Sequence, residues 1–282
     1  STMQQDAASK LNMTPVQVMQ IAQQLYEGID IPGMGHTALV TYIRTDSTRV
    51  SAEAQNEALA YIRGTYGDDY APAKPNVYKA KSSAQDAHEA IRPISLSMTP
   101  ESLKDKLQKN TYRLYKLIYD RFVASQMAPA LYDTLTVHII SESDKNYGYV
   151  LKGKTLKFKG WQAAYMPAGE SNDKDAKTLP NIKDGEDFTL KEMKAEQKFT
   201  TPPARFTDAT LVKGMEDNGI GRPSTYAATI SVISKRNYIE KDGKFIKPTE
   251  LGETVCDMLV KYFPNIMDVK FTSDMELNLD RI

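Results

Sequence analysis

The sequence is poor in the residues that build disulfides and metal sites. Cys256 is the only cysteine, so the chain cannot form an internal disulfide bond or a Cys-based zinc site. The three histidines, His36, His88 and His138, have none of the spacings typical of metal ligands. A single cysteine is typical of proteins from a reducing cytosol, so a cytoplasmic protein is expected, with no metal site formed by this chain.

The sequence also lacks long apolar runs and any excess of charge. No apolar run approaches the ~20 residues that span a bilayer, so no membrane partner is expected. Lys and Arg number 36, as do Asp and Glu, so global charge does not indicate nucleic acid. A polyanion site would have to be a local cluster, and most charges are expected on solvated surface. The length of 282 residues predicts two or three domains.

Residues 1–130 are predicted to be mostly helical. Thr14, Pro15 and Gln17 form a capping box with proline at the first helical position. Apolar residues then recur every three or four positions up to Tyr26, as on one face of a helix. Further helices are expected from Ser51 to Gly64, from Thr99 to Leu107, and from Leu114 to Met127.

Residues 131–203 are predicted to form a β-rich domain. "TLTVHII" has the two-residue period of a strand, and "NYGYVLKGKTLKFKGW" predicts two strands joined by a glycine turn. "DFTLKEMKAEQKF" predicts further strand, after the polar, turn-rich "AGESNDKDAKTLPNIKDGED". Pro202-Pro203 marks the end of this unit.

Residues 204–282 are predicted to follow the element order of a winged helix-turn-helix. Asp208 and Ser224 are the expected N-caps of two helices, which are separated by "NGIGRP". "YIEKDGKFI" predicts a hairpin, and a last helix follows Thr249. This order is frequent in nucleic-acid-binding modules, and a structural linker made of the same elements is the alternative. The fold class is therefore predicted to be multidomain α+β.

The stretch "ALVTYIRTDSTRVS" places a tyrosine at the end of a strand-like run and surrounds it with charge. Residues two apart on extended backbone share a side, so Tyr42 and Arg44 are expected to project together. A phenol, with a pKa near ~10, is a weak nucleophile at neutral pH, and a neighbouring guanidinium favours its ionised form. The guanidinium can also hold a phosphate oxygen, which suits attack on a phosphodiester. Ordinary packing of a tyrosine is the alternative.

Two further stretches carry groups suited to phosphates and bases. In "KSSAQDAHEAIRP", a helix over residues 87–91 would place His88 and Arg92 on one face, although an ordinary exposed helix end is the alternative. In "NGIGRPSTYA", glycines allow close backbone approach, a helix N-terminus attracts phosphate, and a tyrosine ring could stack on a base. A simple turn between helices would use the same glycines. The candidate contacts are His88, Arg92, Arg222, Ser224, Thr225, Tyr226 and Arg236.

Three long motifs, in this order, resemble bacterial type IA DNA topoisomerase I: "LVTYIRTDSTRVS", "AQDAHEAIRP" and "PPARFTDATLVKGMEDNGIGRPSTYAATISVISKRNYI". The ends of the chain, "STMQQDAASKLNM" and "FTSDMELNLDRI", resemble the same family. The resemblance places the family's active-site tyrosine on Tyr42 and its neighbouring catalytic arginine on Arg44. It places the histidine near the DNA on His88, and the single-strand-binding arginines on Arg222 and Arg236.

The resemblance implies a reaction on single-stranded DNA that needs no ATP and relaxes negatively supercoiled DNA. Tyr42 would attack a backbone phosphate, leaving a 5′-phosphotyrosine and a free 3′-hydroxyl. The implied scaffold is a toroid, with the tyrosine-bearing helical domain at residues 1–130, a β-rich arch at 131–203 and a helical, winged-helix-like base at 204–282. A monomeric, nucleoid-associated protein is expected.

The sequence departs from the family pattern in two places. The family's Mg²⁺ site lies in an N-terminal TOPRIM domain, and no Asp-x-Asp-x-Glu-like run occurs here. The chain is therefore interpreted as a fragment whose Mg²⁺ ligands lie elsewhere and which is inactive by itself. "GIDIPGMGHT", Gly28 to Thr37, is longer than the family's usual link and is expected to be a mobile surface loop.

Two other functions remain possible from the residues. A non-catalytic winged-helix DNA-binding protein would explain the region after Pro203 but not the charged cluster around Tyr42. A tyrosine recombinase is disfavoured by order, because its arginines and His-x-x-Arg precede the tyrosine, whereas Tyr42 comes first here.

Overall fold

The computed structural model of the protein describes residues 1–78, 88–142, 147–166, 180 and 182–279. Helices make up most of the first and last parts of the chain, and a long β-hairpin lies between these two parts. No helix within the described ranges is long and apolar enough to cross a membrane.

The first part of the chain is helical, as predicted. Its helices are α1 (Thr2–Leu11), α2 (Pro15–Glu27), α3 (Ala52–Tyr66), α4 (Pro100–Leu103) and α5 (Lys109–Ser125). The capping box at Thr14 is present, and the Ser51 hydroxyl accepts a hydrogen bond from Ala54 N at the start of α3. The helix predicted from Thr99 to Leu107 is shorter than expected. It ends at Leu103, whose carbonyl accepts the amides of both Lys106 and Leu107 in a turn.

The core of this part is built around α5, which buries Leu114, Tyr115 and Ile118 among its nine buried residues. The apolar face of α2 packs against it, with Val18, Ala22 and Leu25 buried. The short segment Leu39, Val40 and Ile43 belongs to the same buried cluster. The residues on either side of Tyr42 are therefore held by the core.

Gly28 to Thr37, which was predicted to be a mobile loop, contains a small hairpin. Strands β1 (Ile29–Ile31) and β2 (Gly35–Thr37) pair antiparallel. His36 fixes the base of the hairpin, since its ring nitrogens lie 3.1 Å from Asp30 Oδ1 and 3.3 Å from the Glu27 carbonyl oxygen. The turn between the strands, residues 32–34, is exposed, as expected for a surface segment.

The middle part is a single hairpin of β3 (Leu131–Ile140) and β4 (Gly148–Phe158). The prediction of two strands in "NYGYVLKGKTLKFKGW" is wrong, because the backbone runs through Gly153 as one strand paired along its length with β3. The prediction of strand over residues 187–199 is also wrong. A strand needs a hydrogen-bonded neighbour, and in the described part of the chain these residues have none. Of the polar stretch before them, residues 168–179 and 181 lie outside the described residues.

The last part follows the predicted order of helix, turn, helix, hairpin and helix. Its elements are α6 (Asp208–Asp217), α7 (Tyr226–Lys235), β5 (Ile239–Asp242), β6 (Phe245–Pro248), α8 (Glu250–Tyr262), α9 (Pro264–Met267) and α10 (Val269–Leu279). Two predicted N-caps are wrong. Thr207, not Asp208, caps α6, through reciprocal hydrogen bonds with Thr210. Ser224 lies in a turn, and α7 begins two residues later.

The first and last parts of the chain pack against each other. Helix α1 lies on α6, and α2 lies on α7. The Gln4 side chain, 1% exposed, donates to the Pro223 carbonyl at 3.1 Å, and Gln5 donates to Glu216 at 2.9 Å. These contacts bring the turn before α7 towards the segment that carries Tyr42.

Candidate functional site

The backbone around Tyr42 is fixed on two sides. Leu39 N donates to the Leu25 carbonyl at 2.8 Å, which joins the segment to the end of α2. On the other side, Thr41 N donates to Arg92 O at 3.0 Å, and Ile94 N donates to Leu39 O at 3.0 Å. The predicted strand at Leu39 to Thr41 is thus reduced to one β-bridge, between Val40 and Pro93. This bridge brings residues 88–94 alongside the tyrosine.

The Tyr42 ring lies between two other rings. The His88 ring stacks on it, with centroids 4.9 Å apart and planes at 30°. The Tyr26 ring meets it edge-on at 5.4 Å and 69°. Tyr42 is partly exposed, and among the described residues its hydroxyl has no hydrogen-bond partner. The two neighbours fix the ring, and the oxygen stays available to an incoming group.

Burial alternates along the residues that follow Tyr42. Ile43, Thr45 and Ser47 are buried, whereas Tyr42 and Arg44 are not. The alternation supports the expected placement of Tyr42 and Arg44 on one side of the backbone. The loop beyond is tightened by its own hydroxyls, since Thr45 Oγ1 accepts from Ser47 N at 3.0 Å and Ser47 Oγ accepts from Arg49 N at 3.2 Å.

His88 and Arg92 do not share a helical face, so that prediction is wrong. Residues 88–92 have no helix, because their backbone groups are used by the neighbouring segment: Ala90 N donates to Arg49 O at 2.8 Å and Arg92 N to Thr41 Oγ1 at 2.9 Å. The Arg92 guanidinium is bound by Glu89 at 2.9 Å and by the Pro93 carbonyl at 3.0 Å, and its side chain is 14% exposed. The structure therefore does not support Arg92 as a phosphate contact. Residues 81–87 of this motif lie outside the described residues.

The turn before α7 is shaped by glycine and by Thr225. Gly221 has a φ of 77°, and a Cβ added there would lie 2.9 Å from Thr225 Oγ1. That hydroxyl accepts from Arg222 N at 2.8 Å, and Thr225 N donates to Arg222 O at 2.9 Å. The Arg222 side chain is half-buried, donates to the Gly221 carbonyl at 2.9 Å and lies 3.5 Å from Glu276. Ser224 and Thr225 are exposed on this turn.

Tyr226 is not placed to stack on a base. Tyr226 is 5% exposed and packs in a small apolar core with Val212 and Ile230. Burial, assisted by Glu216, raises the pKa of Tyr226 to about 12. Arg236 is exposed at the other end of α7, roughly 15 Å along the helix from the turn.

An open cavity of about 630 Å³ lies between α2 and α7, and residues of both the tyrosine segment and the turn before α7 line it. Arg44 lines it from the tyrosine segment, and Ser224 lines it from the turn. The structure therefore brings together two groups of predicted residues: Tyr42 with His88, and Arg44 with Ser224. Arg92 is held in an ion pair with Glu89, and Tyr226 packs in a small apolar core.

Sequence reasoning missed the roles of Tyr26 and Gln4. Tyr26 was assigned to the apolar face of α2, but it is 37% exposed and its edge contacts the Tyr42 ring. Its position at the end of α2, just before the tyrosine segment, was the available signal. Gln4 gave none, because its buried amide joins α1 to Pro223, which is distant in sequence.

The family resemblance implies Mg²⁺. Mg²⁺ prefers carboxylate and other oxygen ligands. Among the described residues, no group of three or more His, Cys, Asp or Glu side chains is arranged to hold a metal ion. The described residues therefore do not fit a Mg²⁺ site.

Comparisons with known proteins agree with the motifs. Residues 1–282 match the model of a family described as DNA topoisomerase. Full-length topoisomerase I from Thermotoga maritima is similar in structure, with a TM-score of 0.80 and 37% sequence identity over 99% of this chain. The match covers 44% of the Thermotoga chain, so the protein described here spans less than half of that relative. The family match over the whole chain and the identity to a solved topoisomerase I show that this chain belongs to the bacterial type IA DNA topoisomerase I family.

Proposed function

We propose that this chain carries the nucleophile and part of the DNA-binding surface of an enzyme that cleaves and rejoins single-stranded DNA. The phenolic oxygen of Tyr42 attacks a backbone phosphorus and becomes joined to the 5′-phosphate. The bond from phosphorus to the 3′-oxygen breaks, the 3′-oxygen leaves as a hydroxyl, and the phenol loses its proton. One phosphodiester replaces another, so ATP is not required. Passage of a second strand before rejoining relaxes negative supercoils.

The observation that carries this proposal is the environment of Tyr42. Its ring is held between His88 and Tyr26, and no described residue binds its hydroxyl. A nucleophile gains rate when it is held in a fixed position, because less motion must be lost on reaching the transition state. Tyr115 and Tyr226, by contrast, are buried in the two apolar cores of the chain.

Arg44 supplies the positive charge in this proposal. It is exposed, and no described residue forms an ion pair with it, so its guanidinium is available to a phosphate oxygen. A fixed cation beside phosphorus stabilises the charge that develops during attack. The DNA backbone would be held by Ser224 and Thr225, which are exposed on the turn across the cavity. It would also be held by Arg222, just before α7, and by Arg236 at the end of α7.

We further propose that these 282 residues alone bind single-stranded DNA but do not relax supercoils, because the described residues form no metal site. A monomeric state and a cytoplasmic, nucleoid-associated location remain predictions.

A chimera tests the nucleophile. These 282 residues would replace the matching segment of Thermotoga maritima topoisomerase I, and relaxation of a negatively supercoiled plasmid with Mg²⁺ would show that the chimera is assembled. After incubation with a labelled single-stranded oligonucleotide and denaturation, the chimera should retain covalent DNA, and Tyr42→Phe should retain none.

Tyr26→Phe is the matched control, because it removes the hydroxyl of the neighbouring ring and leaves the ring in place. It should retain covalent DNA. Equal adduct from the chimera and from Tyr42→Phe would reject Tyr42 as the nucleophile. A folded chimera that binds DNA but neither relaxes plasmid nor retains covalent DNA would favour the non-catalytic, winged-helix alternative.

A further inference from the structure

The cavity between α2 and α7 has a lining that differs from that of a phosphate-binding groove. Gln20 lines it from α2, together with Gln23 and Gln24 one turn further along the same helix. Ala227, Ala228 and Ser231 line the opposite wall. Because the α7 side chains on this wall are short, a gap remains between them and the glutamines of α2. This gap is the cavity.

The amides of Gln20 and Gln24 are available to a ligand. Both side chains are exposed, and neither forms a hydrogen bond with another described residue. Gln23 is different, since its amide donates to Glu27 at 2.6 Å. A glutamine amide has two donors and one carbonyl acceptor, the complement of the edges of nucleic-acid bases.

The charge of the lining indicates whether the cavity suits the phosphate backbone or the bases of a nucleic acid. Among the described residues that line the cavity, Arg44 is the one that carries charge. A surface that tracks a phosphate backbone uses several cations, whereas neutral amides and small apolar residues suit bases. Because Arg44 lies two residues from Tyr42, a phosphate held at Arg44 would place the adjoining bases next to this cavity.

We infer that the cavity between α2 and α7 is a base-binding subsite, which takes one or two bases of single-stranded DNA beside the phosphate that Tyr42 attacks. Gln20 and Gln24 bind the base edges, and Ala227 and Ala228 provide the apolar wall. This inference rests on the proposed function for the identity of the ligand. It adds a contact with bases to a site whose other candidate residues bind backbone.

The test measures the affinity of the purified 282-residue chain for labelled single-stranded oligonucleotides by fluorescence anisotropy at several salt concentrations. The double variant Gln20→Ala/Gln24→Ala should weaken binding by about three- to tenfold, as expected for the loss of one or two net hydrogen bonds. The dependence of affinity on salt should stay unchanged, because no ion pair is removed. Gln108→Ala, which removes an exposed glutamine outside the cavity, is the control.

A second pair of variants fills the cavity instead of removing its amides. Ala228→Phe places a ring in the cavity and should weaken binding at least as much. Thr229→Phe adds a ring of similar size at the next position of α7, which is exposed but does not line the cavity, and should bind normally. Far-UV circular dichroism of all variants checks that they are folded.

Oligonucleotides with one abasic position, moved along the strand, show whether the contact is to a base. At one or two positions the abasic site should weaken binding by the wild-type chain and remove its advantage over Gln20→Ala/Gln24→Ala. The inference would be overturned if the wild-type chain bound more tightly than the double variant at every abasic position. It would also be overturned if the double variant bound as tightly as Gln108→Ala, or if Ala228→Phe bound as tightly as Thr229→Phe. Those results would leave DNA binding, and so the proposed function, intact. Absence of binding by the wild-type chain at low salt would reject both.

Discussion

Replacing Gly221 by alanine should loosen the turn that carries Arg222 and Ser224. Gly221 has a φ of 77°, a conformation that costs an L-residue roughly 1–2 kcal/mol. The added Cβ would also lie 2.9 Å from Thr225 Oγ1, closer than two such atoms normally approach. The hydroxyl must move, and its 2.8 Å hydrogen bond from Arg222 N is lost or weakened, at about 1 kcal/mol. The total expected loss in the free energy of unfolding is about 2–3 kcal/mol.

Gly243→Ala is the matched control for this substitution. Gly243 has a φ of 59° in the same part of the chain, and a Cβ there would meet nothing within 4 Å. It should therefore cost only the conformational part, about 1–2 kcal/mol. Urea unfolding followed by far-UV circular dichroism measures both losses, and hydrogen exchange of residues 219–230 locates the loosened turn.

A double-mutant cycle isolates the contact itself. Thr225→Ala removes the hydroxyl that the new Cβ would meet, so in that background Gly221→Ala should cost no more than Gly243→Ala. A coupling energy near zero, or equal losses for the two glycine variants in the natural background, would show that the Thr225 hydroxyl does not shape the turn.

Three other results are expected. Arg222→Ala should weaken single-strand binding and lower its salt dependence, measured by anisotropy, whereas Glu276→Gln should strengthen binding because it removes the ion-pair partner at 3.5 Å. The free energy of unfolding should fall as pH rises from 10 towards 12, because burial raises the pKa of Tyr226 to about 12 and folding therefore favours its neutral phenol. In urea titrations at alkaline pH, Tyr226→Phe should reduce this loss by about 2–3 kcal/mol. Thr14→Ala should cost about 1 kcal/mol in urea unfolding, because Thr14 Oγ1 accepts from Gln17 N at the start of α2. An unchanged salt dependence, a flat alkaline profile or an unchanged urea midpoint would contradict these three in turn.

Local signals in the sequence predicted local structure well. The capping box at Thr14 and the helix start at Ser51 are present, because each depends on hydrogen bonds between residues close in sequence, whereas the N-caps predicted at Asp208 and Ser224 miss the helix starts by one or two residues. The strand predicted over residues 187–199 failed for the opposite reason. Alternating residues show that a segment can be a strand, but pairing depends on a neighbour that the pattern does not identify.

The candidate site divides in the same way. Tyr42 and Arg44 could be chosen from their types and spacing, whereas the stacking of His88 on Tyr42 depends on the bridge between Val40 and Pro93. Tyr226 looked available at a helix start, but its ring is buried by the packing of α6 against α7. The cavity lined by Gln20 and Gln24 exists only because α2 meets the small residues of α7.

The most direct test of the account is the chemical position of the DNA on the protein. Covalent adduct from the chimera would be digested with protease and nuclease, and the modified peptide sequenced by mass spectrometry. The account predicts a nucleotide joined through its 5′-phosphate to the oxygen of Tyr42. A nucleotide on any other residue, or a linkage through a 3′-phosphate, would contradict it.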